Sequence, residues 1–177
     1  YDHIGMIDAS GGVLDQDYEM FEQQTPHLLL KHEYWTDSAG AGRWRGGLGV
    51  ETRFKIGGER TKVVTFGDGD VEPPFGLFGG KSATLNKIEL IYPDGRAYKT
   101  TSKDLVEDVP AGVVLFQQAG GGGGYGDPYL RPAHKVAEEV KNGIISVEKA
   151  REDYGVVVDP ETFEVDTEQT EKLRRPQ

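Results

Sequence analysis

A run of five glycines, Gly120 to Gly124, divides this chain and limits what it can fold into. Glycine gives up more backbone freedom on ordering than any other residue, on the order of 1–2 kcal/mol at each position. An ordered run therefore needs something that approaches its backbone closely, such as a substrate, a neighbouring subunit or another strand. That contact is expected from outside the domain; anchoring by Tyr125 in the domain's own core is the alternative.

The hydrophobic period differs on the two sides of this run. Before it, short apolar segments alternate with turn residues. His27 to Trp35 is bounded by Pro26 and by Asp37-Ser38-Ala39-Gly40. Val50, Phe54 and Ile56 share one parity, as a half-buried strand requires. Gly57-Gly58 suits a hairpin turn that returns through Thr61 to Phe66. Leu85 to Tyr92 is followed by Pro93-Asp94-Gly95, in which Pro pre-sets φ and Gly takes the left-handed position, so Ala97 to Thr101 is its predicted mate. Val113 to Gln118 closes the series.

After the run the spacing turns helical. Pro132 suits a first turn, Val136, Ala137 and Val140 share a face, and Gly143 is placed to stop the helix. Ser146 can cap a second helix carrying Ala150 and Tyr154, with Gly155 as its stop and Val156 to Val158 as one more possible strand. The predicted fold is α+β, mainly antiparallel β in a sandwich or barrel-like form, with two short helices near the C-terminus. Four regions are expected: an irregular connecting segment over 1–23 with Gly11-Gly12 as a breaker, a β-rich domain over 24–128, a helical appendage over 129–158, and a polar tail over 159–177 that is extended or disordered.

Composition excludes several classes. No apolar run approaches the roughly 18 residues of a membrane span. The absence of cysteine removes disulfides, thiolate nucleophiles and Cys-ligated metals, and with no apolar leader it implies a cytoplasmic protein. A net charge of -10 with scattered basic residues disfavours nucleic acid, whose binding rests on neutralising phosphates. A chain that starts at Tyr1 rather than Met is expected to be part of something longer.

The motifs that resemble catalytic signatures fail on spacing. Gly79-Gly80-Lys81-Ser82 resembles the end of a phosphate loop, but the glycine required five positions before Gly80 is Phe75, and a strand follows instead of a helix. Gly121, Gly123 and Gly126 match a dinucleotide fingerprint only as any glycine run would, and Asp127-Pro128 interrupts helix entry. Ser82 has Thr84 where a nucleophile elbow needs glycine. His27 and His32 are five apart, on opposite faces of a strand. Asp2 and His3 either contribute to a site completed elsewhere or belong to a solvated terminus. Asp68-Gly69-Asp70 starts like a calcium loop but has Pro73 and Gly79 where Gly and Glu belong. No catalytic residue or metal ligand set is assigned.

Three ordered strings remain. They are Asp37-Ser38-Ala39-Gly40-Ala41-Gly42-Arg43-Trp44-Arg45-Gly46-Gly47-Leu48-Gly49, Pro73-Pro74-Phe75-Gly76-Leu77-Phe78-Gly79-Gly80, and Gly121 to Pro128 followed by Ala150-Arg151-Glu152-Asp153-Tyr154-Gly155-Val156-Val157. Together they resemble the C-terminal part of the hydantoinase B family, which includes N-methylhydantoinase and oxoprolinase-type amidohydrolases and the related acetone and acetophenone carboxylases. The resemblance covers about Thr25 to Asp159. It implies an ATP-dependent hydrolase of cyclic amides, or alternatively a ketone carboxylase. It also implies a hydantoinase A-type partner subunit, and ATP and a divalent metal in the whole complex, with the metal ligands upstream of this chain. A non-catalytic assembly domain is the reading from a different class. On this resemblance Phe75, Gly76, Phe78, Gly79, Gly80, Gly122, Gly123 and Tyr125 are candidates for pocket or interface loops. Arg43 and Arg45 are candidates for anion contact or, alternatively, for surface salt bridges around a packed Trp44.

Overall fold

The computed structural model describes Asp2 and residues 17–175. Gly11-Gly12 and His3 lie outside the described residues.

The β-rich part is two antiparallel sheets rather than a closed barrel. Strands β1 (Leu28–Tyr34), β2 (Val50–Lys55), β4 (Lys87–Ile91), β5 (Ala97–Lys99) and β7 (Val114–Gln118) form one sheet in the order β1-β2-β7-β4-β5. Strands β3 (Thr61–Phe66) and β6 (Lys103–Val109) form the second. Ile56, Val63, Leu90, Val109 and Val113, drawn from both sheets and their ends, make the core between them.

The Pro93-Asp94-Gly95 turn does join a hairpin: Leu90 faces Tyr98 across it, and Gly95 has φ 85°. The Gly57-Gly58 turn does not. β2 pairs with β1 and β7, while β3 crosses to β6. The physical reason lies at Gly57, whose Cα presses against the Pro26 carbonyl, so the chain is held against the start of β1 instead of reversing on β2. β6 is not among the expected strands; Val106 and Val109 join the core there, among Lys103, Asp104, Glu107 and Asp108.

Helix α1 (Tyr18–Gln24) lies in the segment predicted irregular. Asp17 caps it by accepting from the Met20 N–H, and the Phe21 ring packs on Phe54 at 5.3 Å. After a 3-10 turn at Pro128–Leu130 come α2 (Ala133–Lys141) and α3 (Val147–Tyr154). Ser146 caps α3 through Lys149 N, and Gly155 closes it at φ 61°. The further strand expected at Val156 to Val158 is only a single bridge from Val158 to Val165. The tail expected to be extended or disordered carries α4 (Thr167–Arg174), which Asp166 caps and which buries Thr170, whose hydroxyl accepts from Val157 N. Val136, Ala137, Val140, Ile145, Ala150, Tyr154, Val156 and Val158 form a second core with Ala41. Among the described residues no helix is long and apolar enough to cross a membrane.

Candidate functional site

Between the two cores, three loops meet backbone to backbone. They are residues 35–49, residues 73–86 and the glycine run with its flanks, 119–127. Gly40 N donates to Gly122 O at 2.9 Å, and Gly122 N to Gly47 O at 2.9 Å. Gly124 N donates to Lys81 O and Lys81 N to Ala41 O, at 2.9 and 2.7 Å. Leu77 N reaches Gly124 O and Gly126 N returns to Leu77 O, at 2.9 and 2.8 Å. Trp44 and Tyr125 exchange both backbone bonds, at 3.0 and 2.9 Å. Ser38, fully buried, ties two of the loops: its carbonyl accepts from the Thr84 N–H and hydroxyl, and its hydroxyl accepts from Gly49 N.

This mesh is the reason for the glycines. A Cβ on Gly123 would fall inside the radius of the Phe75 carbonyl oxygen, one on Gly124 inside that of Ala41, and one on Gly46 inside that of Gly122. Backbones this close leave no room for a side chain, so the entropy of ordering is offset by a dense set of hydrogen bonds. The contact expected from outside the domain is therefore made within it, by loops 35–49 and 73–86.

The candidate loop residues divide by direction. Gly76, Gly80, Gly122 and Gly123 face neighbouring backbone inside the mesh, and Gly79 takes φ 92° at its turn. Phe75, Phe78 and Tyr125 face outward and are exposed, with the Phe78 and Tyr125 rings 5.1 Å apart.

The two arginine candidates also separate. Arg43 is exposed, with its guanidinium 6.0 Å from the centre of the Trp44 ring. Trp44 is itself exposed, so it is not the packed centre of a surface ion-pair cluster. Arg45 is buried and donates from Nε to Glu139 Oε1 at 2.8 Å. Glu139 also accepts from Arg131 at 3.0 Å, and Arg131 grips Asp2 with both terminal nitrogens, at 2.7 and 3.1 Å. Asp2 accepts a further bond from Arg45 N at 3.0 Å. Burial alone would raise the Asp2 pKa, but the Arg131 hydrogen bond and charge, with the Arg45 N–H, hold it below the usual carboxylate value. The Asp2 carboxylate is thus engaged by Arg131 and Arg45 instead of solvated. Burial, followed by the nearby Glu139 charge, pushes the Tyr154 hydroxyl well above its ordinary pKa. Arg131 Nε and Glu139 Oε2 find no hydrogen-bond partner among the described residues. Arg131 and Glu139 are not among the residues expected from the sequence. The available signal was Glu139 on the apolar face of Val136 and Val140, where a buried charge requires a partner.

The donor sets needed for ATP phosphates or a divalent metal do not form from these residues. Lys81 is held by Asp153 at 2.7 Å, Gly80 N donates to Leu77 O, and the chain runs on to β4 instead of opening a helix. His27 Nδ1 lies 3.3 Å from Gly57 N, and His32 Nδ1 lies 3.0 Å from Thr52 Oγ1. Among the described residues no three His, Asp or Glu side chains converge as metal ligands.

The chain is thus a two-sheet domain joined by a glycine backbone mesh to a helical lobe. The model of the hydantoinase B/oxoprolinase family matches residues 5–128, and the chain belongs to that family. It is 34% identical over 159 residues to caprolactamase subunit beta of Pseudomonas jessenii, covering 88% of this chain and 27% of that one. It is 26% identical over 175 residues to the acetone carboxylase alpha subunit of Xanthobacter autotrophicus, covering 80% of this chain and 23% of the relative. The crystal structure of the ATP-dependent caprolactamase from Pseudomonas jessenii superposes with a TM-score of 0.82 at 30% identity, over 93% of this chain and 29% of that one. The chain therefore spans about a quarter of the length of each of these relatives.

Proposed function

We propose that this chain serves as the C-terminal part of the B subunit of an ATP-dependent amidohydrolase that opens a cyclic amide together with a hydantoinase A-type partner. The observation that carries this reading is the 34% identity to caprolactamase subunit beta across 88% of the chain. ATP and a divalent metal then belong to the complex, and the chain contributes a rigid scaffold. The glycine mesh fixes three loops relative to one another, and the Asp2–Arg131–Glu139–Arg45 cluster fixes Asp2 to the helical lobe.

The second reading is a subunit of a ketone carboxylase, supported by the 26% identity to the acetone carboxylase alpha subunit. The test is to purify the intact complex containing this chain and follow ATP consumption and product. The candidate substrates are caprolactam, hydantoin and 5-oxoproline, set against acetone or acetophenone with bicarbonate. Lactam- or hydantoin-dependent ATP consumption with a ring-opened product is expected. Consumption that requires ketone and bicarbonate establishes the second reading instead. The isolated chain is expected to turn over none of them, because no metal-ligand set converges among its described residues and Lys81 is already held by Asp153.

A further inference from the structure

Two phenylalanines of this chain share the left-handed backbone that bulky residues rarely adopt: Phe163 at φ 60° and Phe78 at φ 51°. Phe163 is half-buried and packs on the helical core, so its strain has an evident return. Phe78 is 77% exposed, and its ring centre lies 5.1 Å from that of Tyr125. A strained backbone persists where its surroundings over-determine it, and such positions concentrate at ligand and partner sites.

The surroundings do over-determine this one. Leu77, just before it, is locked to Gly124 and Gly126 by two backbone bonds, and Gly80 N closes the turn onto Leu77 O. Phe75, three residues earlier in the same loop, is 75% exposed, and Leu77, Trp44 and Tyr125 add exposed apolar side chains joined by backbone bridges. Five large apolar side chains thus stand in solvent on a backbone with little freedom. Preorganised aromatic anchors of this kind are what protein interfaces place at their centres.

Resting on the function proposed above, we infer that this aromatic crest is the docking surface for the remaining part of a hydantoinase B-type subunit. In caprolactamase subunit beta the matching stretch is 27% of the polypeptide, so most of such a subunit lies outside this domain and is the nearest large surface available to cover the crest. Charge specifies the chemistry of the opposing face. In a chain of net charge -10, two exposed cations, Arg43 and Lys135, flank Trp44, each 6.0 Å from the ring centre. The opposing face is apolar against Phe75 and Phe78 and carries carboxylates on the Trp44 side.

The test compares three forms of the whole chain: wild type, the double variant Phe75→Ser/Phe78→Gly, and a control, Val64→Ser/Leu105→Ser, which alters exposed apolar residues on β3 and β6. The probe is Pseudomonas jessenii caprolactamase subunit beta lacking the segment this chain matches, with affinity and thermal unfolding measured for each form. Wild type and control are expected to bind alike. The Phe75/Phe78 variant is expected to bind about 30-fold or more weakly, as loss of interface anchors implies. Its unfolding temperature should be unchanged or higher, because Phe78→Gly relieves a strained φ. Equal binding by all three overturns the docking surface and leaves the proposed function standing. Failure of wild type itself to bind overturns both. A lowered unfolding temperature makes Phe78 an internal structural residue and overturns the inference. A wild-type dimer that the double variant abolishes does so too, by making a second copy the occupant.

Discussion

Leu90 and Gly124 are both buried in this domain, and the forces that hold them are opposite. Leu90 is fixed by what its side chain fills, between two sheets whose inward residues are Ile56, Val63, Val109 and Val113. Gly124 is fixed by what it lacks, since its Cα lies against the Ala41 carbonyl and its N–H and C=O are both used by neighbouring loops. In the sheet half, removing a methyl does damage; in the glycine half, adding one does. The helical lobe adds a third device, a buried charge cluster, where removing one partner leaves the others uncompensated.

These differences order the expected effects. Glu139→Ala strips Arg45 of its carboxylate partner and leaves Asp2 as the one carboxylate on Arg131 among the described residues, and is expected to cost about 3–5 kcal/mol. Chemical denaturation checks this, and a loss under 1 kcal/mol would make the cluster incidental. Leu90→Ala should cost about 2–5 kcal/mol through the transfer and cavity terms of a closed site. A negligible change would mean that the two sheets are not tightly packed at that point. Ser146→Ala removes the cap on Lys149 N and should cost about 1 kcal/mol.

Acid and alkali separate the halves as well. Asp2 in the helical lobe and Glu51 in the sheet both have pKa values lowered by their partners, despite burial that raises them. A lowered carboxylate pKa gives stability that is complete above the unfolded value, near 4, and is lost as pH falls through the folded value. Acid should therefore loosen both halves. Tyr154 is raised above 10.0, so its contribution is complete below that pH and is lost as pH rises toward the folded value. Circular dichroism titration should find that Tyr154→Phe removes the alkaline loss and leaves the acid one. An alkaline transition of the same size in both proteins would place its cause elsewhere.

The parts of this fold legible in the sequence are those specified by short-range chemistry. The Pro93-Asp94-Gly95 hairpin, the Ser146 cap and the Gly155 stop each rest on residues within a few positions of one another. What was not legible depends on distant partners. Gly57-Gly58 resembles a hairpin turn by itself, but Pro26 against Gly57 and the Ile56 backbone bonds to Val113 and Gly112 hold the chain in other pairings. β6 is written in acidic residues because its outer face is solvated, with Lys62 paired to Glu107 and Arg60 to Asp108. For the site, the glycine strings were visible and their meaning was not. A glycine required by positive φ and a glycine required by a carbonyl against its Cα look the same in one sequence. Arg131 and Glu139 were hidden because they lie eight residues apart, Arg131 before α2 and Glu139 on it, and their pairing shows only once both ends are placed.

The central claim is that the glycine run is held by close contact with loops of its own chain, and two adjacent substitutions test it most directly. Gly122 and Gly123 are both half-buried, and neither has a positive φ. A Cβ on Gly122 would sit 3.2 Å from Gly47 N, which a small shift accommodates, whereas one on Gly123 would overlap the Phe75 carbonyl. Equilibrium denaturation of the two alanine variants should show a loss of about 1 kcal/mol or less for Gly122→Ala and about 3 kcal/mol or more for Gly123→Ala. Equal losses, or a fully stable Gly123→Ala domain, would contradict the account.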